Sequence, residues 1–387
     1  MKIAIIGTGI AGNLAAYRLA PCHDITVFEA DSRIGGHTHT VDVRLSQGDY
    51  AVDTGFIVYN DVTYPNFIAL LDELGVATQP SDMSFSVRCE RSGLEYNGAS
   101  INALFAQRSN LLRPSFYRML RDVLRFNREA PALLQATDPA LSLNDYLQQN
   151  HYSREFVEHY IVPMGAAIWS ASPQGMGKVP ALFFVRFFHN HGLLSVNDRP
   201  RWRVIQGGSR RYVEKLVAGH RERIRLNTRV EWIKRHRGHV EVKARGAEPE
   251  RFDRVFMACH SDQALALLAD PSDLERRVLG AIRYQRNEAV LHTDASLMPR
   301  RRRAWAAWNY HIPAQTAGEQ GRVALTYNMN ILQSLDAPET LCVTLNHTPA
   351  IDPGRIIKTI DYSHPLFTER AVAAQQHHRA LNGALNT

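Results

Sequence analysis

Gly7, Gly9 and Gly12 stand as G-x-G-x-x-G, and the carboxylate of Glu29 follows about twenty residues on. The set suits one chemistry, the grip of a dinucleotide. The first glycine permits a tight turn, the second lets a pyrophosphate approach the backbone, and the third lets a helix pack close to a sheet. Free N–H groups at Ile10 and Ala11, where that helix starts, complement phosphate through the helix dipole. An acid at position 29 suits an unphosphorylated ribose, so FAD or NAD is expected before NADP. The alternative is a glycine-rich turn with a structural role alone.

The elements that must position these residues surround them. Ile3-Ala4-Ile5-Ile6 is an apolar run of the kind that makes a buried parallel strand. Leu14, Tyr17 and Leu19 among small alanines mark a helix, and Ile25-Thr26-Val27-Phe28 marks a second strand that delivers Glu29. The chain has 387 residues, enough for two domains, and a net charge of +7 that suits a phosphate-bearing cofactor or an anionic surface. No zinc-finger spacing and no aromatic RNA-binding signature is present, so nucleic acid is not an expected partner. Cys22, Cys89, Cys259 and Cys342 form no C-x-x-C, which points to free thiols in a reducing, cytoplasmic setting. No apolar run reaches the length of a membrane span, and the glycines break the N-terminal run that would otherwise suggest a signal peptide.

Beyond Glu29 the sequence reads E-A-D-S-R-I-G-G-H-T-H-T-V, with Arg33, Gly36, His37 and Thr38 in the positions of interest, and then V-D-T-G-F-I-V-Y-N across residues 52–60. Together with the first motif these stretches resemble the FAD fingerprint of the flavin-containing amine oxidase superfamily, which includes protoporphyrinogen oxidase and phytoene desaturase relatives. The resemblance implies FAD as the cofactor. It places Gly55 and Phe56 beside the isoalloxazine, Tyr59 and Asn60 toward the substrate, and Val230 in a short strand against adenine. The family's arginine after the glycine pair is His37 here. The P-M-G-A-A-I-W-S stretch, residues 163–170, narrows the resemblance to bacterial NAD/FAD-binding, amine-oxidase-like proteins associated with the modification of fatty acyl chains.

The middle of the chain changes character. Residues 84–89 alternate like a strand, with 93–96 as its hairpin return. Residues 115–135 read as a helix with Phe116, Met119, Leu120, Val123, Leu124 and Phe126 on an apolar face and Arg118, Arg121, Arg125 and Arg128 opposite. Such arginines form a solvated face; the sharper reading is contact with an anionic membrane or a partner. The same two readings apply to Arg300-Arg301-Arg302-Arg303. Trp169, Phe184 and Phe187 belong to an aromatic-rich stretch, read as the core of a second domain and as the wall of an apolar substrate tunnel.

The expected fold is α/β: a discontinuous Rossmann-like FAD-binding domain (1–80, 201–285 and a C-terminal piece, 351–387) with a mixed α+β substrate domain (81–200 and 286–350). The family's glycine-rich C-terminal segment is not found in residues 369–387, so that piece is expected to be truncated. The reaction expected is transfer of a hydride from an apolar, fatty acyl-type substrate to flavin N5. The alternatives are a flavin amine oxidase and a non-catalytic, truncated binding protein. No catalytic base is named, no metal is expected, since neither His189/His191 nor His377/His378 has a spaced third ligand, and no oligomeric state is assigned.

Overall fold

A computed structural model describes residues 1–135, 140–195, 199–314 and 321–387. The N-terminal pattern folds as its periodicity dictates. Strand β1 (Lys2–Ile6) runs into helix α1 (Ile10–Leu19), and strand β2 (Asp24–Phe28) returns parallel to β1. The strand Arg254–Met257 pairs with β1 on its other side, and Ile224–Arg225 extends the sheet beyond β2. β1 lies in the middle of this four-stranded parallel sheet, so its side chains are buried on both faces and its sequence is apolar without alternation. A three-stranded antiparallel sheet, Val230–Arg235, Val240–Ala244 and Glu250–Phe252, covers one face with Val230, Ile233, Val242 and Phe252.

The second part is built on a seven-stranded sheet. Its order is Ile356–Pro365, Tyr284–His292, Cys342–Leu345, Ala324–Asn328, Trp308–Ile312, Phe85–Cys89 and Leu94–Asn97. All neighbours are antiparallel except Trp308–Ile312 with Phe85–Cys89. Helices Pro114–Glu129, Leu143–Gln149, Val162–Trp169 and Ala181–Asn190 share the large apolar core with this sheet. The strand Ile356–Pro365 pairs along its length with Tyr284–His292, so the sheet continues past residue 350 without a break.

Two expectations change in detail. The helix expected over 115–135 is an α-helix, Pro114–Glu129, that tightens to a 3₁₀ turn over Ala130–Gln135. Its Leu124 points to solvent, while Asp122 is buried: the Asp122 carboxylate caps the next segment by accepting the N–H of Ser153 at 2.8 Å. Ser142 caps the helix Leu143–Gln149, accepting from the N–H of Asp145.

Candidate cofactor and substrate site

The glycines of the first turn differ in what surrounds them. Gly7 has φ +104°, a region that favours glycine, and a Cβ there would lie 2.9 Å from the Ala258 carbonyl oxygen. A Cβ on Gly12 would lie 1.9 Å from the Gly7 oxygen. A Cβ on Gly9 would meet nothing within 4 Å. Gly9 is therefore bare for no reason internal to the fold. The start of α1 has no side-chain cap, Ile10 and Ala11 are exposed, and Asn13 Oδ1 is buried without a partner. Open space, uncapped helix N–H groups and a positive dipole end form a cradle that fits a diphosphate.

Glu29 stands at the end of β2 as expected. One carboxylate oxygen accepts from the N–H of Thr8 at 2.9 Å and from its hydroxyl; the other accepts from the N–H of Asp31 at 2.8 Å. The backbone oxygens of Glu29 and Asp31 accept from Thr228 and Asn227. This lays the segment leading into Val230 beside the acid, where an adenosine would extend from the cradle. Val230 itself is buried against the parallel sheet.

The glycine pair closes the other side. Gly35 N–H donates to the Thr8 oxygen at 3.1 Å, and a Cβ on Gly36 would lie 3.0 Å from Gly9 Cα. Arg33 braces this loop from within: its guanidinium donates to the carbonyls of Thr38 (3.0 Å) and Gly36 and pairs with Asp31 at 3.5 Å. The Thr38 hydroxyl bonds that of Tyr212. A Cβ on Gly55 would lie 2.0 Å from the His37 oxygen, because Phe56 N–H donates to that oxygen at 2.8 Å. Only the backbone of Phe56 joins the loop; its ring packs on Phe67, 5.4 Å between centroids.

Sequence reasoning missed what gathers around His37. Its ring lies 5.0 Å from Tyr362, 5.4 Å from His364 and 5.8 Å from His260, which stacks on Tyr284 at 4.3 Å. Burial, then the neighbouring histidines and Arg33, push His37 down to about 4. At neutral pH the cluster is uncharged, unlike the arginine it replaces. Asp53 was also passed over. It is fully buried and accepts from Ser209 N–H (2.9 Å), the Ser209 hydroxyl (2.8 Å), the Thr40 hydroxyl (2.6 Å) and Gln333 (3.1 Å). This network pins the Gly207-Gly208 turn, where Gly208 has φ +91°, against the strand Gly48–Asp53.

The residues expected to line a substrate pocket separate into two groups. Trp169 and Phe187 are half-buried, 4.8 Å apart, in a row that runs through Phe183 and Phe367 on one side and His191 on the other. Phe184 is fully buried and stacks on Phe188 at 4.2 Å, inside the core behind that row. Tyr59 and Asn60 are likewise buried. Tyr59 packs on Tyr64 and Phe67, and Asn60 Oδ1 accepts from the N–H groups of Val62 and Thr63. Tyr64, rather than Tyr59, approaches the row, 6.5 Å from His191. Phe367 and His191 extend the row; an aromatic after a proline-ended strand and a histidine one helical turn from Phe187 were the available signals.

A further histidine cluster lies on the antiparallel sheet that covers the parallel one. His236 and His239 flank a hairpin turn beside Glu241, with ligand atoms within 4.8 Å of one another. The two rings are 4.5 Å apart and only 10° from parallel, so their in-plane lone pairs run side by side instead of converging on one ion. His236 Nε2 lies 3.1 Å from a Glu241 carboxylate oxygen.

Comparison with known proteins agrees with this geometry. Residues 10–292 match the family model described as flavin containing amine oxidoreductase. The mitochondrial protoporphyrinogen oxidase of Nicotiana tabacum is 27% identical over 183 residues, 45% of this chain and 34% of that protein. Protoporphyrinogen oxidase 2 of Arabidopsis thaliana is 25% identical over 181 residues. The matched stretch thus spans about a third of these curated relatives. Among solved structures, cyclohexylamine oxidase from Brevibacterium oxydans superposes with a TM-score of 0.67 at 16% identity, over 96% of this chain and 90% of that one. A CLA-producing fatty acid isomerase from P. acnes superposes with a TM-score of 0.69 at 17% identity, over 100% and 92%. At such identities these two share the fold.

Proposed function

Since the chain belongs to the flavin-containing amine oxidoreductase family, whose cofactor is FAD, we propose that it is an FAD-dependent oxidoreductase acting on an apolar, acyl-type substrate. The observation that carries the substrate class is the half-buried row Phe367, Phe183, Trp169, Phe187 and His191. Its half-buried ring faces suit an apolar chain, and since ring faces also attract an ammonium group, the test below sets lipids against amines. FAD, when bound, supplies a two-electron acceptor for the hydride of a substrate C–H bond.

The chain's own residues bind, orient and exclude water. Gly9 and the N–H groups at the start of α1 receive the diphosphate. Glu29 accepts from the ribose hydroxyls while its bonds to Thr8 hold it in place. The bonds between residues 37–39 and 54–56 set the loop along which the ring system would lie. The aromatic row keeps water from an apolar chain and fixes its position.

The test is a visible absorption spectrum of the protein with added FAD, followed by anaerobic addition of unsaturated fatty acids and, separately, of alkyl amines. Bleaching by the lipid supports the reading. Bleaching by amines alone assigns the site to an amine oxidase, and a protein that takes up no FAD refutes the cofactor site.

A further inference from the structure

Two basic stretches far apart in the sequence meet on one surface. The short helix Ile101–Leu104 packs against the turn Arg302–Ala304. The buried Glu95 fastens the junction: its carboxylate accepts from the N–H groups of Arg300 (2.9 Å) and Arg301 (3.2 Å), and its carbonyl accepts from Asn110 at 3.2 Å. The segment 108–112 and the first turns of helix Pro114–Glu129 adjoin it, tied by Tyr117 O–H donating to the Leu111 oxygen at 3.1 Å and by Phe105 packing on Phe116 and Tyr117.

This surface carries side chains that a water-facing surface does not need. Leu112 is 88% exposed and Ile101 80%, with Leu111, Tyr117 and Leu124 also exposed. Single exposed apolar residues are ordinary, but several on one surface are a mark of contact. The charges around them sort by partner. Farther along the helix, Arg118, Arg125 and Arg128 are matched by Glu155, Asp122 and Glu129. Beside the exposed leucines, Arg108, Arg113, Arg300, Arg302 and Arg303 have no carboxylate partner among the described residues. Unmatched arginines rimming exposed aliphatic side chains are the pattern of a surface that rests on anionic headgroups while its apolar tips enter the acyl boundary. No helix among the described residues is long and apolar enough to cross a membrane, so this contact is peripheral.

We propose that Ile101, Leu111, Leu112 and the unmatched arginines 108, 113, 300, 302 and 303 form a docking surface for an anionic lipid bilayer. Duplex nucleic acid matches the arginines but gives the exposed leucines nothing to bury in, so the bilayer is the better partner. The surface does not depend on the cofactor or on the substrate assignment.

The test is flotation of the full chain with vesicles of phosphatidylcholine alone and with phosphatidylglycerol added. The expected result is recovery with the anionic vesicles, weakened by salt. The double variant Ile101→Asp, Leu112→Asp should lose at least about tenfold in partition. The double variant Arg302→Glu, Arg303→Glu should lose about fivefold or more per arginine. All four side chains are exposed, so circular dichroism of both variants should match the parent. Equal recovery of the variants and the parent, or no recovery of the parent, overturns the proposal. So does tighter binding to duplex DNA than to vesicles, or a parent dimer that the Leu112 variant dissociates, which would make this an interface between copies.

Discussion

Gly9→Ala separates binding from folding at the diphosphate cradle. Gly9 has φ −64° and ψ 179°, which alanine adopts without strain, and the added methyl meets nothing within 4 Å. Losing a glycine from the unfolded chain gives the variant about 0.4–1 kcal/mol of stability, or at most a few degrees in Tm. The same methyl sits where a phosphate must approach. Displacing the phosphate from one or two charge-assisted N–H bonds costs about 1.5–3 kcal/mol, which is roughly tenfold to 150-fold in Kd. Gly12→Ala is the contrast: its methyl would lie 1.9 Å from the Gly7 oxygen, so the turn itself must open and the apoprotein must melt early. The assay pairs thermal melting of the apoproteins with FAD titration followed by flavin fluorescence. An apo Gly9→Ala that melts as early as Gly12→Ala, or that binds FAD as the parent does, refutes the reasoning.

The pH dependence of stability should carry the mark of Asp53. Burial raises its carboxyl to about 6 from an ordinary 3.8, so it favours folding below the lower value and loses that contribution as pH rises through the higher. Relative to Asp53→Asn, the parent should lose about 2 kcal/mol in urea-unfolding stability between pH 4 and pH 7; parallel curves would contradict this. Phe184→Ala should cost about 3–5 kcal/mol, because the ring is fully buried against Phe188, Phe126 and Trp169. A urea midpoint near the parent's would place the ring outside the core. Glu275→Ala should cost about 3–5 kcal/mol by stranding the buried Arg235 guanidinium that it holds, and a loss under 1 kcal/mol by the same measurement would show that Asp270 suffices.

The glycine turn after β1 was legible because its constraints are steric demands that glycine alone meets, and so they show in residue type. Gly7, Gly12 and Gly36 each answer to a neighbour within a few residues or one strand away, and the apolar β1 answers to burial on both faces. Of the seven-stranded sheet, residues 84–89 and 93–96 were legible as a strand and its hairpin return, but not the long-range partner they take. Pairing Trp308–Ile312 with Phe85–Cys89 joins residues more than two hundred positions apart, and periodicity says which face a strand buries but not which partner it takes. The strand Ile356–Pro365 was not anticipated for the related reason that its exposed, mixed sequence lies at the edge of the sheet, where one side has no strand to match.

The candidate site divides along the same line. Gly9, Glu29 and Gly36 come together around one turn, and they could be singled out in the sequence because backbone geometry writes itself into residue type. Tyr59, Asn60 and Phe184 were expected at the substrate because an aromatic or amide near a motif reads alike whether it faces a ligand or the core, and here all three are buried. The His37, His260 and His364 cluster shows the limit most clearly. Each histidine follows a different strand or loop, and only the fold makes them neighbours. Their closeness then changes their chemistry, since desolvation and mutual repulsion keep the cluster neutral where a lone surface histidine would titrate near neutrality. Residue type gives the groups a sequence can offer; the charge they carry at the site is a property of which ones the chain folds together.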